Sequence, residues 1–171
     1  MCEQSHEIQA LIHAAILLHA KAAFAVRHAL SSSPDSSLSG PDAKPLWENS
    51  NGPTTELRAA ITELEKAVSF SGEGTLSRGL LANAYGLAGE RGKAMRILDE
   101  LKALSRKRYV SPLDMAVGYT GLGDRNSAFQ WLEKAYQERT MRIQQLPEPV
   151  FDTLRPDPRF GDLMRRIGLA Q

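Results

Sequence analysis

"YGLAGERGKAMRIL" (85–98) recurs in altered form as "YTGLGDRNSAFQWL" (119–132), 34 residues further along the chain. Tyr85, Gly89, Ala94 and Leu98 fall on Tyr119, Gly123, Ala128 and Leu132, and Ala82 falls on Ala116. The period extends backwards as well. Ala60, Ala94 and Ala128 share the spacing, as do Leu64, Leu98 and Leu132, and Ala67, Leu101 and Ala135. Where two helices cross closely only small side chains fit, while Leu and Tyr fill the wider gaps beside the crossing. Each unit therefore reads as a helix, a short turn and a second helix. Gly89 and Gly123 stand where the first helix must end in a left-handed residue.

The flanking signals place the individual helices. "TTELRAAITELEKAVSF" (54–70) carries Leu57, Ile61, Leu64 and Val68 on one stripe, with Thr54 or Thr55 as a cap. Further helices are expected over about 75–88, 92–106, 111–122 and 124–138, and "SGEG" (71–74) separates the first two. Ser111 and Pro112 read as N-cap and first helical residue, with Asp114 placed to reach back to the cap. Asp124 and Asp157 are further N-caps, and Gly168 lies beyond the last helix. No segment alternates with period two between hairpin turns, so the expected fold is all-α.

This spacing resembles the tetratricopeptide repeat, whose period is 34 and whose signature orders small residue, Tyr, Ala, aromatic or Leu, and Ala in this way. Two full units match, roughly 75–108 and 109–142, after a second-helix half-unit at about 55–71. The early Trp of the signature is missing, and Arg106 and Thr140 stand in place of its late Pro. The segment 106–169 also resembles the C-terminal end of bacterial multidomain signalling and transcription regulators that carry such arrays. The resemblance implies a short right-handed superhelix of helix-turn-helix repeats. Phe160, Leu163, Met164 and Ile167 would cover its last repeat as a C-terminal capping helix.

The domain reading follows. Residues 1–33 form an Ala-rich helix with a faint repeat echo at Ala22, Val26, Ala29 and Pro34. Residues 34–54 are a Pro/Ser/Gly-rich linker, and 55–171 are the repeat domain with its cap at 142–171. The apolar run 8–26 lacks a basic n-region and is interrupted by His13, His19 and Lys21, which argues against a signal peptide or an anchor. A cytoplasmic protein is expected.

Twenty-one basic and 20 acidic side chains leave a formal charge of +1, a weak pull on nucleic acid or anionic membrane. Neither is expected as a partner. Cys2 is the one cysteine, and His6, His13, His19 and His28 show no i, i+4 pairing, so no metal or cofactor is expected. "GLAGERGKA" (86–94) is not a phosphate loop, because no strand precedes it and no Ser or Thr follows Lys93. The carboxylates Asp152, Asp157 and Asp162 have no catalytic partner. The chain reads as no enzyme.

Where the repeat family binds, its first helices line a concave groove that takes peptides. That resemblance places Leu76, Asn83 and Leu87 on one helix and Leu113, Val117 and Thr120 on the next as an exposed partner-binding stripe. Asn83 matches an asparagine of the family's carboxylate clamp, but Leu76, Leu80, Val110 and Asp114 replace its basic partners. A second candidate surface is the basic run Lys102, Arg106, Lys107 and Arg108, which the dipole at a helix C-terminus also favours. The expected function is a non-catalytic scaffold for a protein or peptide. The alternative is a regulatory or oligomerisation module, with a homodimer through the first helices.

Overall fold

The computed structural model describes residues 55–71 and 74–169. The Ala-rich helix at 1–33, the linker at 34–54, the four histidines, Cys2 and Trp47 lie outside the described residues. Within them the chain is helical, without a strand. Its α-helices are α1 (Thr55–Ser71), α2 (Thr75–Leu87), α3 (Arg91–Ser105), α4 (Pro112–Gly121), α5 (Arg125–Gln137) and α6 (Pro158–Ile167). Two 3₁₀ helices, Met141–Gln145 and Pro149–Leu154, join α5 to α6. No described helix is long and apolar enough to cross a membrane.

The expected boundaries hold to within about two residues, and the reasons are local. Gly89 and Gly123 adopt φ of 77° and 71°, and each takes the chain out of one helix and into the next. Asp124 caps α5 by accepting from the Ser127 N–H at 3.1 Å. Asp157 caps α6 through the Arg159 N–H at 3.0 Å, and Gly168 ends it at φ 83°. Ser111 departs from expectation. It precedes α4, but its side chain makes no capping bond, and Asp114 does not turn back toward it.

The nine residues of the 34-residue ladder (Ala60, Leu64 and Ala67, Ala94, Leu98 and Leu101, Ala128, Leu132 and Ala135) are all 0 % exposed. The period is thus a core period. These side chains belong to the second helix of each pair and face the first helices, where Ala82, Ala116, Tyr85 and Tyr119 are buried. The most extensive helix contacts are α2 with α4, α4 with α5, and α2 with α3.

The two 3₁₀ helices were not anticipated. Pro147 and Pro149 deny this stretch the run of N–H donors an α-helix needs, so it winds in short tight turns. It is nevertheless core structure. Leu146, Phe151 and Leu154 are no more than 1 % exposed, and the second 3₁₀ helix packs on α4. The helix α6 then lies on α5, with Phe160 and Leu163 buried and Met164 and Ile167 half-buried, the covering role expected for these four.

Candidate functional site

The structure closes the concave stripe expected between the first helices. Asn83 is 1 % exposed, and Leu113, Val117 and Thr120 are buried with it; Leu76 and Leu87 are half-buried against the core. The expectation of an exposed groove at these six residues is therefore corrected for four of them. Asn83 turns inward, and its Nδ2 donates to the Val117 carbonyl at 2.6 Å. Thr120 donates to the Ala116 carbonyl one turn earlier, at 2.8 Å. Neither side chain presents its donor to a ligand.

The cause is a row of glycines that the 34-residue alignment passed over. A Cβ on Gly79 would stand 2.6 Å from the Asp114 carbonyl oxygen. One on Gly86 would meet the Gly121 backbone at 2.5 Å, and one on Gly121 would meet the Asn83 backbone at 2.3 Å. The helices α2 and α4 run parallel with their backbones in contact, so no channel separates them. The signal was present in the sequence as Gly79 and Gly86, two turns apart on one face, and Gly121 on the next helix.

Asp114 joins three element starts at one end of this seam. It is 1 % exposed, accepts from the Thr75 hydroxyl at 2.7 Å, and is ion-paired with Arg142 of the first 3₁₀ helix. Its partners account for its turning away from Ser111. Ser111 Oγ, Thr140 Oγ1 and Asn83 Oδ1 are buried without a protein partner.

The expected basic run divides in two. Lys102 lies on the last turn of α3, ion-paired with Asp99 at 3.4 Å and 5.5 Å above the Tyr119 ring centre. Its ammonium is pushed above its ordinary value, chiefly by Tyr119. Arg106, Lys107 and Arg108 are exposed in the turn that follows.

An open groove of about 980 Å³ lies instead between α5 and α6, where Phe129 and Leu163 form the floor and Gln130 and Arg165 stand on the rim. Its walls are arginines laid on aromatic rings. Arg159 stacks 4.2 Å from the Phe129 centre and bonds to Asn126 at 3.2 Å. Arg166 lies 4.7 Å from the Tyr136 centre, bonds to Glu133 at 3.0 Å and pairs with Asp162 at 3.2 Å. The Arg166 guanidinium holds the Glu133 carboxyl below its ordinary range. The Arg159 side chain brings Asp157 down to about 2. Arg166 also borders a second hollow of about 270 Å³ that reaches Arg139 and Gln144.

Among the described residues no group of three His, Cys, Asp or Glu is placed to hold a metal. Comparison with known protein families, characterised proteins and solved structures returned no match.

Proposed function

We propose that this chain is a tetratricopeptide-type scaffold that binds a protein or peptide and performs no chemistry. One observation carries the reading: polar contacts between successive units recur at nearly the repeat length. Asn83 reaches Val117, 34 positions on, while Asn126 pairs with Arg159 and Glu133 with Arg166 at 33. Units that contact only their neighbours in this way form an extended surface suited to a partner chain. On this reading the two 3₁₀ helices with α6 are a third, degenerate unit that caps the array. The partner surface is the groove between α5 and α6, because the glycine seam leaves none between α2 and α4.

The test is capture of a partner by the full chain, followed by titration of the purified partner. Gln130→Glu/Arg165→Glu changes two exposed rim residues and leaves the buried ladder intact. A purified partner that binds the wild type and loses affinity for this variant supports the groove. Retained affinity moves the site elsewhere, and turnover in a substrate screen overturns the scaffold reading.

A further inference from the structure

One edge of the molecule collects positive charge beyond what the helix ends require. Through Thr75, Asp114 and Arg142 the starts of α2, α4 and the first 3₁₀ helix are held together. The segments leading into them, at 74, 106–111 and 138–141, therefore share an edge. Arg106, Lys107 and Arg108 lie exposed on the middle segment, and Arg139 lies exposed on the next. No Asp or Glu occurs between Leu101 and Leu113. Of the described carboxylates, Asp114 is buried against Arg142 and Glu138 is 3.8 Å from Lys134.

The helix dipole accounts for Lys102 in the last turn of α3 and for Arg106 at its end, but its effect fades within a turn. It does not account for Lys107 or for the aromatic ring two residues on. Tyr109 is 66 % exposed, the large hydrophobic side chain most open to solvent among the described residues. Its neighbour Val110 is 7 % exposed and anchors the turn. The Lys107 and Arg108 N–H groups both donate to the Leu104 carbonyl, at 2.9 and 3.1 Å. Tyr109 is thus displayed on a fixed turn, directly after a basic run. The edge is also continuous with the groove, because Arg139 lines the hollow that Arg166 shares with it.

We propose that this edge docks an acidic, aromatic-bearing segment of a protein partner. Its carboxylates lie against Arg106, Lys107 and Arg139, and its ring lies on Tyr109. The proposal rests on the scaffold reading for the class of partner and adds the chemistry of the segment. Charge distribution favours a peptide over a nucleic acid. The chain carries a formal charge of +1 and a pI near 7.9, and this cation cluster is local, whereas nucleic-acid-binding domains carry a basic face or an elevated pI. Paired carboxylates and guanidinium groups form the stronger class of hydrogen bond, and an exposed Tyr offers a rigid apolar face at low entropic cost.

The experiment uses the full chain and fluorescence anisotropy. The probes are a labelled peptide of glutamates around one tryptophan, its alanine counterpart, and an oligothymidylate of similar length. The tryptophan peptide should bind more tightly than the alanine one, and its affinity should fall as salt is raised. Arg106→Ser/Lys107→Ser should weaken it about tenfold or more, with the helical circular dichroism unchanged. Tyr109→Ala should erase the preference for tryptophan. Absence of peptide binding, unchanged affinity in the double variant, or tighter binding of the oligothymidylate overturns the proposal. A captured partner lost by Gln130→Glu/Arg165→Glu but kept by Arg106→Ser/Lys107→Ser would retain the scaffold reading and reject this edge.

Discussion

The α2–α4 seam and the α5–α6 contact join helices at nearly the same sequence offset, by opposite means. At the seam, glycines bring two backbones together, and the side chains expected to line a groove are buried or half-buried. Between α5 and α6 the helices stand apart, and long arginines on Phe129, Tyr136 and Glu133 bridge the gap. Close approach gains dispersion contacts along a whole helix but leaves no room for a ligand. Side-chain bridging gains less, because the charges stay partly solvated, and it leaves a groove open.

The largest test of that contrast is Gly121→Ala. The added Cβ meets the Asn83 backbone, not a flexible side-chain tip, so α2 and α4 must separate. A loss of about 3 kcal/mol is expected in urea unfolding. A loss below about 0.5 kcal/mol would mean that the backbones are not in contact. Next is Asp114→Ala, which removes the acceptor shared by Thr75 and Arg142. Both partners of the buried carboxylate are partly exposed, so roughly 2 kcal/mol is expected by the same measurement.

The opposite sign is expected at Gly92, on α3, where a Cβ meets nothing within 4 Å. Gly92→Ala should stabilise the chain by about 0.5–1 kcal/mol, through helix propensity and a less flexible unfolded state. These glycines look alike as letters. The distance from each to its neighbouring backbone decides the sign.

At the α5–α6 contact the effects are smaller and depend on salt. Arg166→Ala should cost about 1 kcal/mol or less at low ionic strength, because both ion-pair partners are more than a third exposed. The difference from wild type should shrink in high salt, whereas that of Gly121→Ala should not. The pH dependence is the finest test. Glu133 and Asp157 have folded-state values below their unfolded ones. Their stabilisation is therefore complete above the ordinary carboxylate range and lost as pH falls toward the folded values, for Asp157 between about 4 and about 2. Thermal melts should show the decline starting below about pH 5, and Glu133→Gln should flatten its upper part. An unchanged profile in that variant would remove Arg166–Glu133 from the account of this contact.

Helix positions and the core were legible because they rest on local chemistry. Gly89 and Gly123 end helices by their own φ, Asp124 and Asp157 cap by reaching two or three residues, and the Ala/Leu ladder marks the faces that must be covered. The candidate site was misread for a reason of the same kind. An alignment at one period shows which residues are equivalent, not how far apart the helices carrying them stand. Asn83, Val117 and Thr120 were placed on the correct face, but that face is sealed by Gly79, Gly86 and Gly121 from two helices. The 3₁₀ helices escaped notice because short tight turns around Pro147 and Pro149 carry no 3.6-residue stripe, although Phe151 and Leu154 are each 1 % exposed.

The sequence by itself determined that the described part of this protein is helical, where its helices from α1 to α6 begin and end to within about two residues, and that the Ala/Leu ladder enters the core. Those properties depend on side chains a turn or less apart. Tertiary structure alone decided that α2 and α4 touch, that Asp114 answers to Thr75 and Arg142 instead of its own cap, and that the open groove lies between α5 and α6. Each of those depends on the separation of elements some 30 residues apart in the chain, a distance set by the volumes of all the side chains packed between them.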